Sequence, residues 1–468
     1  MTHPLPPLVA ERLRALRERP VELVEKGCGG LAAGGLAFSG PTAAELAAAR
    51  AELHEAGFTY PLLTLRETAL AGNIAAMAGY CAEAGVALAP HGKTAMSPEL
   101  AARQLAHGAW GITVATIGQL RTYRAFGFSR LLLANELVDE AGIAWLAAEL
   151  AADPGFEAYC YVDSVAGVTI LDRVLSRHPA GRRLPVLVEI GADGERTGCR
   201  TDAGALTVAR AATATNTLRL AGVAGYEGSI GASAADQGSE AGTLERVTSF
   251  CRRLRALAGQ LRTGQLRTGQ LGGGDDEFIV TAGGSAFFDV VTRELTAGDR
   301  TGITAILRSG AYLTHDHGFY AALSPAARGS APAPRLRPAL ELWAQVLSRP
   351  EAGLALLGAG RRDAGFDQGL PVPLRVVRRG HTAAAGVTGG GSRDVGGRAD
   401  LSGSRLTELN DQHAYLQLGP GTDLAPASVF HRDWRHAGCE RLKRERGAPE
   451  QPECDLSRIA IKLRQVHL

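Results

Sequence analysis

From Thr59 onward, short apolar runs alternate with amphipathic stretches, and this alternation restricts the fold more than any other feature. The runs are Tyr60 to Leu65, Val86 to Ala89, Gly111 to Val114, Arg130 to Leu133, Glu157 to Val162 and Leu184 to Ile190, with helical segments between them. Strand and helix in alternation call for parallel strands joined by right-handed crossovers. The pattern predicts an α/β protein built on a (β/α)8, TIM-like barrel. An open doubly wound sheet is the competing arrangement, but no glycine fingerprint follows the first strand. At 468 residues the chain has room for a large core and a second domain.

Residues 1–57 read as a helical extension. Pro41 to Leu46 make a capped start, and Leu46, Ala49 and Leu53 continue one face. This segment is expected to pack on the barrel or on a partner subunit. The barrel is expected over 58–300. Beyond it, Thr304 to Leu307, Ala339 to Trp343 and Val372 to Val377 are strand-like runs broken by Gly and Pro, which predicts a β-rich domain over 301–468. Two stretches interrupt the pattern. The tandem repeat Leu261 to Gln265 and Leu266 to Gln270 reads as a flexible surface insertion, and His381 to Gly403 as an exposed loop.

Charge and composition exclude some classes. Fifty basic and 48 acidic residues leave a net charge of +2, so no electrostatic case exists for nucleic acid or a membrane surface as partner. No apolar run approaches the ~20 residues that span a bilayer. The N-terminus lacks the pattern of a signal peptide, and the seven cysteines are odd in number and irregularly spaced. Both point to reduced thiols in a cytoplasmic protein.

The candidate chemistry lies at strand ends. Pro90-His91-Gly92-Lys93-Thr94 follows an apolar run, and Ser97-Pro98-Glu99 then opens a helix with a capping residue, a proline and an acid. Lys93 should therefore stand at the carboxyl end of a strand, where β/α folds gather ligands. It is either a solvated loop lysine or an amine of lowered pKa that forms a Schiff base with a carbonyl cofactor. His91 is a titratable neighbour or a loop histidine without a chemical task.

Thr281-Ala282-Gly283-Gly284-Ser285 follows Phe278-Ile279-Val280. It is an ordinary turn or an anion cradle of backbone N–H groups with the Ser285 hydroxyl. Gly191 to Gly198 follows another apolar run and carries Arg196, a permanent charge that either meets a ligand or pairs with Glu195 on the surface. Tyr226 is a core aromatic or part of the same pocket.

Several motifs in order carry a resemblance. Tyr60-Pro61-Leu62-Leu63, Asn73-Ile74 and Pro90 to Thr94 are similar to the start of the barrel in pyridoxal-phosphate enzymes of the alanine-racemase-like fold type III. Gly108 to Ala115, Leu133 to Glu136, Tyr161 to Ser164 and Thr314 to Tyr320 extend the likeness, which runs from about Tyr60 to about Leu418. Within that class the chain most resembles the D-serine dehydratase and D-threonine aldolase group, in its bacterial amino acid deaminase branch.

The resemblance implies pyridoxal 5'-phosphate as cofactor, with Lys93 as the Schiff-base lysine and general base, and Arg196 meeting the cofactor. It implies a glycine-rich phosphate cradle at Gly283, Gly284 and Ser285. The reaction it implies is lysis of a β-hydroxy D-amino acid to a 2-oxo acid and ammonia, with retro-aldol cleavage, racemisation or cofactor binding without turnover as alternatives. His315, Asp316 and His413 become possible substrate-pocket groups. Relatives pair head to tail, which implies a homodimer.

Relatives also place a divalent metal, Zn or Mn, on a histidine–x–cysteine or –aspartate motif near the C-terminus. Here the match ends at about residue 424. His436 and Cys439 have suitable donor chemistry at a different spacing, and the tail from about 425 is otherwise a charged, solvated segment or a foreign one.

Overall fold

The computed structural model describes residues 3–18, 20–22, 39–48, 58–232, 240–268, 277–366, 369–377, 398–399, 401–422, 424 and 429–433. Near the N-terminus, β1 (Pro20–Glu22) and β2 (Ser39–Thr42) form an antiparallel pair. The helix Ala43–Ala48 starts on a reciprocal cap. The Glu45 N–H donates to Thr42 Oγ1 at 3.1 Å, and the Thr42 N–H donates to Glu45 Oε2 at 2.6 Å. Val9 and Leu13 of the helix Pro7–Arg17 are buried in the outer core of the barrel.

The short strand β3 (Leu62–Leu65) is discussed below. Eight parallel strands then follow: β4 (Ala87–Leu88), β5 (Ile112–Val114), β6 (Arg130–Glu136), β7 (Glu157–Val162), β8 (Leu184–Ile190), β9 (Leu218–Gly225), β10 (Phe278–Ala282) and β11 (Ile303–Leu307). They pair in the order β4-β11-β10-β9-β8-β7-β6-β5. The ring closes between β5 and β4: the Trp110 N–H donates to Leu88 O at 2.7 Å, and the Thr113 N–H to Pro90 O at 3.0 Å. Side chains fill both faces, as helices outside a parallel barrel require. Leu132, Tyr161, Leu187, Ala221, Ile279 and Ile306 pack inside the ring, while Leu131, Leu133, Val186 and Val188 meet the helices. Ser97, Thr116, Asp139, Ser164 and Thr201 each cap the helix that follows by accepting from the amide three residues on.

A second, antiparallel sheet joins β12 (Leu340–Glu351), β13 (Leu354–Leu357), β14 (Val372–Val377), β15 (Arg398–Ala399), β16 (Arg405–Leu409), β17 (Ala414–Gln417) and β18 (Val429–Asp433). Ala344, Val346, Ala355, Leu357 and Leu416 form its core. Asn73, 1 % exposed, ties this part to the barrel. Its amide donates to Leu313 O and Arg337 O, and its carbonyl accepts from the Arg337 N–H at 2.7 Å.

Three expectations are corrected. The run from Tyr60 is not a barrel strand: β3 pairs antiparallel with β12, Leu63 opposite Leu342. The run Thr304 to Leu307 belongs to the barrel rather than to the β-rich part. It is β11, parallel to β10 and β4, and without it the ring would stay open. The tandem repeat lies largely inside a helix, Glu240–Thr268, whose apolar Val247, Leu254 and Leu257 are buried. Glycine lowers helix propensity by only about 1 kcal/mol, which packing along a helix of this length outweighs. Among the described residues no helix is long and apolar enough to cross a membrane.

Candidate active site

The carboxyl ends of the barrel strands surround a cavity of about 320 Å³ lined by His91, Lys93, Glu189, Arg196, Tyr226 and Arg308, among others. Lys93 arrives on a single 3-10 turn, Gly92–Thr94, just past β4. Gly92 permits this tight passage, because a Cβ there would meet Tyr123 Oη at 2.6 Å. Tyr123 Oη in turn donates to Gly92 O at 3.1 Å.

The Lys93 side chain projects into the open cavity, and its pKa is lowered, first by the surrounding protein mass and then by Arg196 and Arg308. Burial pushes His91 down to about 2, with Lys93, Arg308 and Arg196 adding to the effect. At that value the ring stays neutral at physiological pH. Its Nδ1 is buried without a partner.

Two strands round the ring, with β11 between, is the turn Gly283-Gly284-Ser285, after β10. Gly283 has φ +118°, and a Cβ there would collide with Leu307. The two amides assigned above to a phosphate already have a partner. The Gly283 N–H donates to Glu227 Oε2 at 2.9 Å and the Gly284 N–H to Glu227 Oε1 at 2.7 Å. Burial raises the Glu227 pKa against the pull of these bonds. Ser309 Oγ donates to Gly284 O at 2.8 Å. Beneath, the buried Arg308 donates through Nε to Thr281 Oγ1 at 3.0 Å and through Nη2 to Gly225 O. What this turn still offers a ligand is Ser285, which lines the cavity.

Arg196 lies with its guanidinium 4.6 Å from the centre of the Tyr226 ring, a cation–π contact that aims the charge across the cavity mouth. A third flank is acidic, with Glu136 ending β6, Asp163 following β7 and Glu189 near the end of β8. Burial, then Glu189, raises the Glu136 pKa. Asp163 Oδ2 accepts from the Gly198 N–H at 3.1 Å.

The structure thus brings together Lys93, His91, Arg196, Tyr226, Gly283, Gly284 and Ser285 around one cavity. The other sequence candidates fall elsewhere. Asp316 borders an adjoining chamber of about 980 Å³ that shares Tyr226, Gly284, Ser285 and Tyr320 with the first. Its Oδ1 accepts from the Gly318 and Tyr320 amides, so it shapes a turn. His315 borders neither chamber, and burial lowers its pKa. His413 is exposed in the turn between β16 and β17. His436 and Cys439 lie outside the described residues. Among the described residues no group of three His, Cys, Asp or Glu side chains is arranged to hold a metal ion.

Arg308, Glu227, Glu189 and Glu136 were missed from sequence. Each had a signal: an acid or a base at the end of, or inside, an apolar run.

The cavity fits an aldehyde cofactor bearing an anionic group. It has an amine of lowered basicity, two arginines, a glycine turn followed by a serine, and orphaned polar atoms on the lining residues His91 and Glu189.

Comparison with known proteins agrees with this picture. Residues 45–265 match the family model described as alanine racemase, N-terminal domain, and residues 339–438 match a serine dehydratase domain. A D-threonine aldolase from an Arthrobacter species is 26 % identical over 368 residues, 77 % of this chain and 80 % of that protein. The D-threo-3-hydroxyaspartate dehydratase of Delftia sp. (strain HT23) is 33 % identical over 158 residues, 34 % of this chain and 40 % of that protein. The crystal structure of a D-threonine aldolase from Filomicrobium marinum superposes with a TM-score of 0.60 at 23 % identity, covering 81 % of this chain and 87 % of that one, and so shares the fold.

Proposed function

We propose a function for a chain that belongs to the fold-type III pyridoxal-phosphate enzymes: it is a lyase acting on β-hydroxy D-amino acids, and its reaction is loss of the hydroxyl to give a 2-oxo acid and ammonia. The observation that carries the reading is the Lys93 amine, held below the usual lysine pKa, facing Arg196 in a cavity at the carboxyl mouth of the barrel.

Pyridoxal phosphate supplies an electron sink for the pair left at Cα when its proton departs. Lys93 would carry the cofactor and, once released by substrate, take the Cα proton. Its lowered pKa raises the unprotonated fraction of the amine above that of an ordinary lysine, as a general base requires. Arg196 cannot be deprotonated, so it holds a fixed positive charge beside the cofactor. Ser285 would be this turn's donor to the phosphate, with Glu227 fixing the Gly283–Gly284 turn that positions it. His91 stays neutral and offers a hydrogen-bonding edge without adding charge. A divalent metal, Zn or Mn, on His436 and Cys439, a homodimer and a cytoplasmic setting belong to the same reading. A metal would act as a Lewis acid on the departing hydroxyl.

Retro-aldol cleavage is the second reading, favoured by the D-threonine aldolase that matches 77 % of the chain. Incubation of the holoprotein with D-serine, D-threonine and 3-hydroxy-D-aspartate separates the two. A 2-oxo acid with ammonia supports the dehydratase, glycine with an aldehyde the aldolase, and the L-isomer a racemase. No product from any of them overturns the enzyme reading, and repeating the assay with a chelator tests the metal.

A further inference from the structure

The strand run Val186 to Ile190 contains one acid, Glu189, and the run Leu131 to Ala134 is followed within two residues by another, Glu136. Their strands, β8 and β6, flank β7, where Tyr161 is the register partner of Glu136. Glu189 is 5 % exposed and lines the cavity, yet its Oε2 meets no donor. Both carboxyl oxygens of Glu136 are buried without a donor as well, and so is the hydroxyl of Tyr161. Two ionised carboxylates held this way repel each other and forgo solvation. One proton between them removes the repulsion and supplies one of the missing donors.

We propose that Glu136 and Glu189 act as one unit, holding a single proton and a single negative charge at the acidic flank of the cavity, and that this charge keeps the cofactor–lysine linkage protonated to higher pH. The proposal rests on the cofactor reading above. Asp163, Tyr161, Cys160 and Cys199 interact electrostatically with the pair, and Arg196 and Arg308 line the same cavity as Glu189. Asp163 adds like charge, which favours retention of the proton, and the two arginines balance the charge that remains.

Infrared spectroscopy of the full chain reads the proton directly. The wild type should show a protonated-carboxyl band at neutral pH that titrates away with one proton as pH rises. Glu136→Gln and Glu189→Gln should each lose the band, because the glutamine removes the repelling charge and its NH2 group gives the remaining acid, ionised, the donor it lacks. Glu227→Gln, which alters another buried acid, should keep it. After loading with pyridoxal phosphate, the pH midpoint of the visible band should move by no more than about 0.3 units in either single variant, since one charge survives. It should fall by about one unit or more in E136Q/E189Q.

A wild type without the band overturns the proposal, and this test needs no variant. A band that both single variants keep, or a double variant with an unmoved midpoint, does the same. If the wild type shows the infrared band but forms no visible band with pyridoxal phosphate, the shared proton stands. The cofactor reading then fails, and the claim on the linkage falls with it.

Discussion

Two turns stand at the same end of the barrel, and their polar groups are treated in opposite ways. The turn after β4 carries Lys93 and leaves His91 Nδ1 buried without a partner. In the turn after β10, Glu227 takes the Gly283 and Gly284 amides, and Ser309 donates to Gly284 O. A group satisfied by the protein is fixed by it, whereas a group left unsatisfied holds its capacity for a ligand. The first turn is therefore read as the reactive one, and the second as a frame that positions one remaining donor, Ser285.

The hardest test of this division is at Lys93. Lys93→Ala should reduce turnover by at least about 10³-fold, the scale on which acid–base and covalent groups act, while leaving the urea midpoint unchanged. Turnover that survives, measured as 2-oxo acid release, breaks the comparison at its reactive half.

Glu227 tests the other half. Glu227→Ala strands two buried amides and should cost about 2–4 kcal/mol in urea unfolding. Glu227→Gln should cost less, about 1–3 kcal/mol. A glutamine has a single acceptor, so its NH2 group faces one of the two N–H donors. Equal and negligible losses in both variants would show that the turn is held by something else.

His91 gives a pH signature. Its folded pKa, about 2, lies below the ordinary 6.5, so the unfolded chain binds a proton that the folded one refuses. Stability is therefore full above pH 6.5 and falls as pH drops below it. At pH 5 the loss should be about 2 kcal/mol. Urea midpoints at pH 7.5 and 5 should diverge more in the wild type than in His91→Asn. Equal divergence would mean that the histidine is free to charge.

Much of this was legible in the sequence, for identifiable reasons. Strand–helix alternation survives in any barrel, so the fold could be read, and Lys93 and Arg196 lie in motifs that follow apolar runs. Arg308 follows one too, but its strand, Ile303–Leu307, was read into the wrong part of the chain, because a strand does not reveal its partners. Glu227 was quoted beside Tyr226 and passed over. Its task is to satisfy amides 56 and 57 residues away, a contact no local pattern encodes. Glu189 was the plainest missed signal, a charge within a run that must be buried on both faces.

The smallest expected effect divides the glycine turn itself. Ser309 is fully buried and its hydroxyl serves Gly284 O, so Ser309→Ala leaves a carbonyl unpaired and should cost about 1 kcal/mol of stability. Ser285, next to Gly284 in the chain, lines the cavity and forms the ligand side of the turn that Ser309 braces. Ser285→Ala should leave the urea midpoint within about 0.5 kcal/mol of the wild type and instead weaken pyridoxal phosphate binding by roughly three- to tenfold, the net worth of one hydrogen bond. Titration of the visible band against cofactor concentration measures the second, and urea unfolding the first. The two serines should exchange neither effect. If Ser285→Ala destabilised the chain and left cofactor affinity intact, the turn would be frame throughout, and the phosphate would have to be held from another strand end.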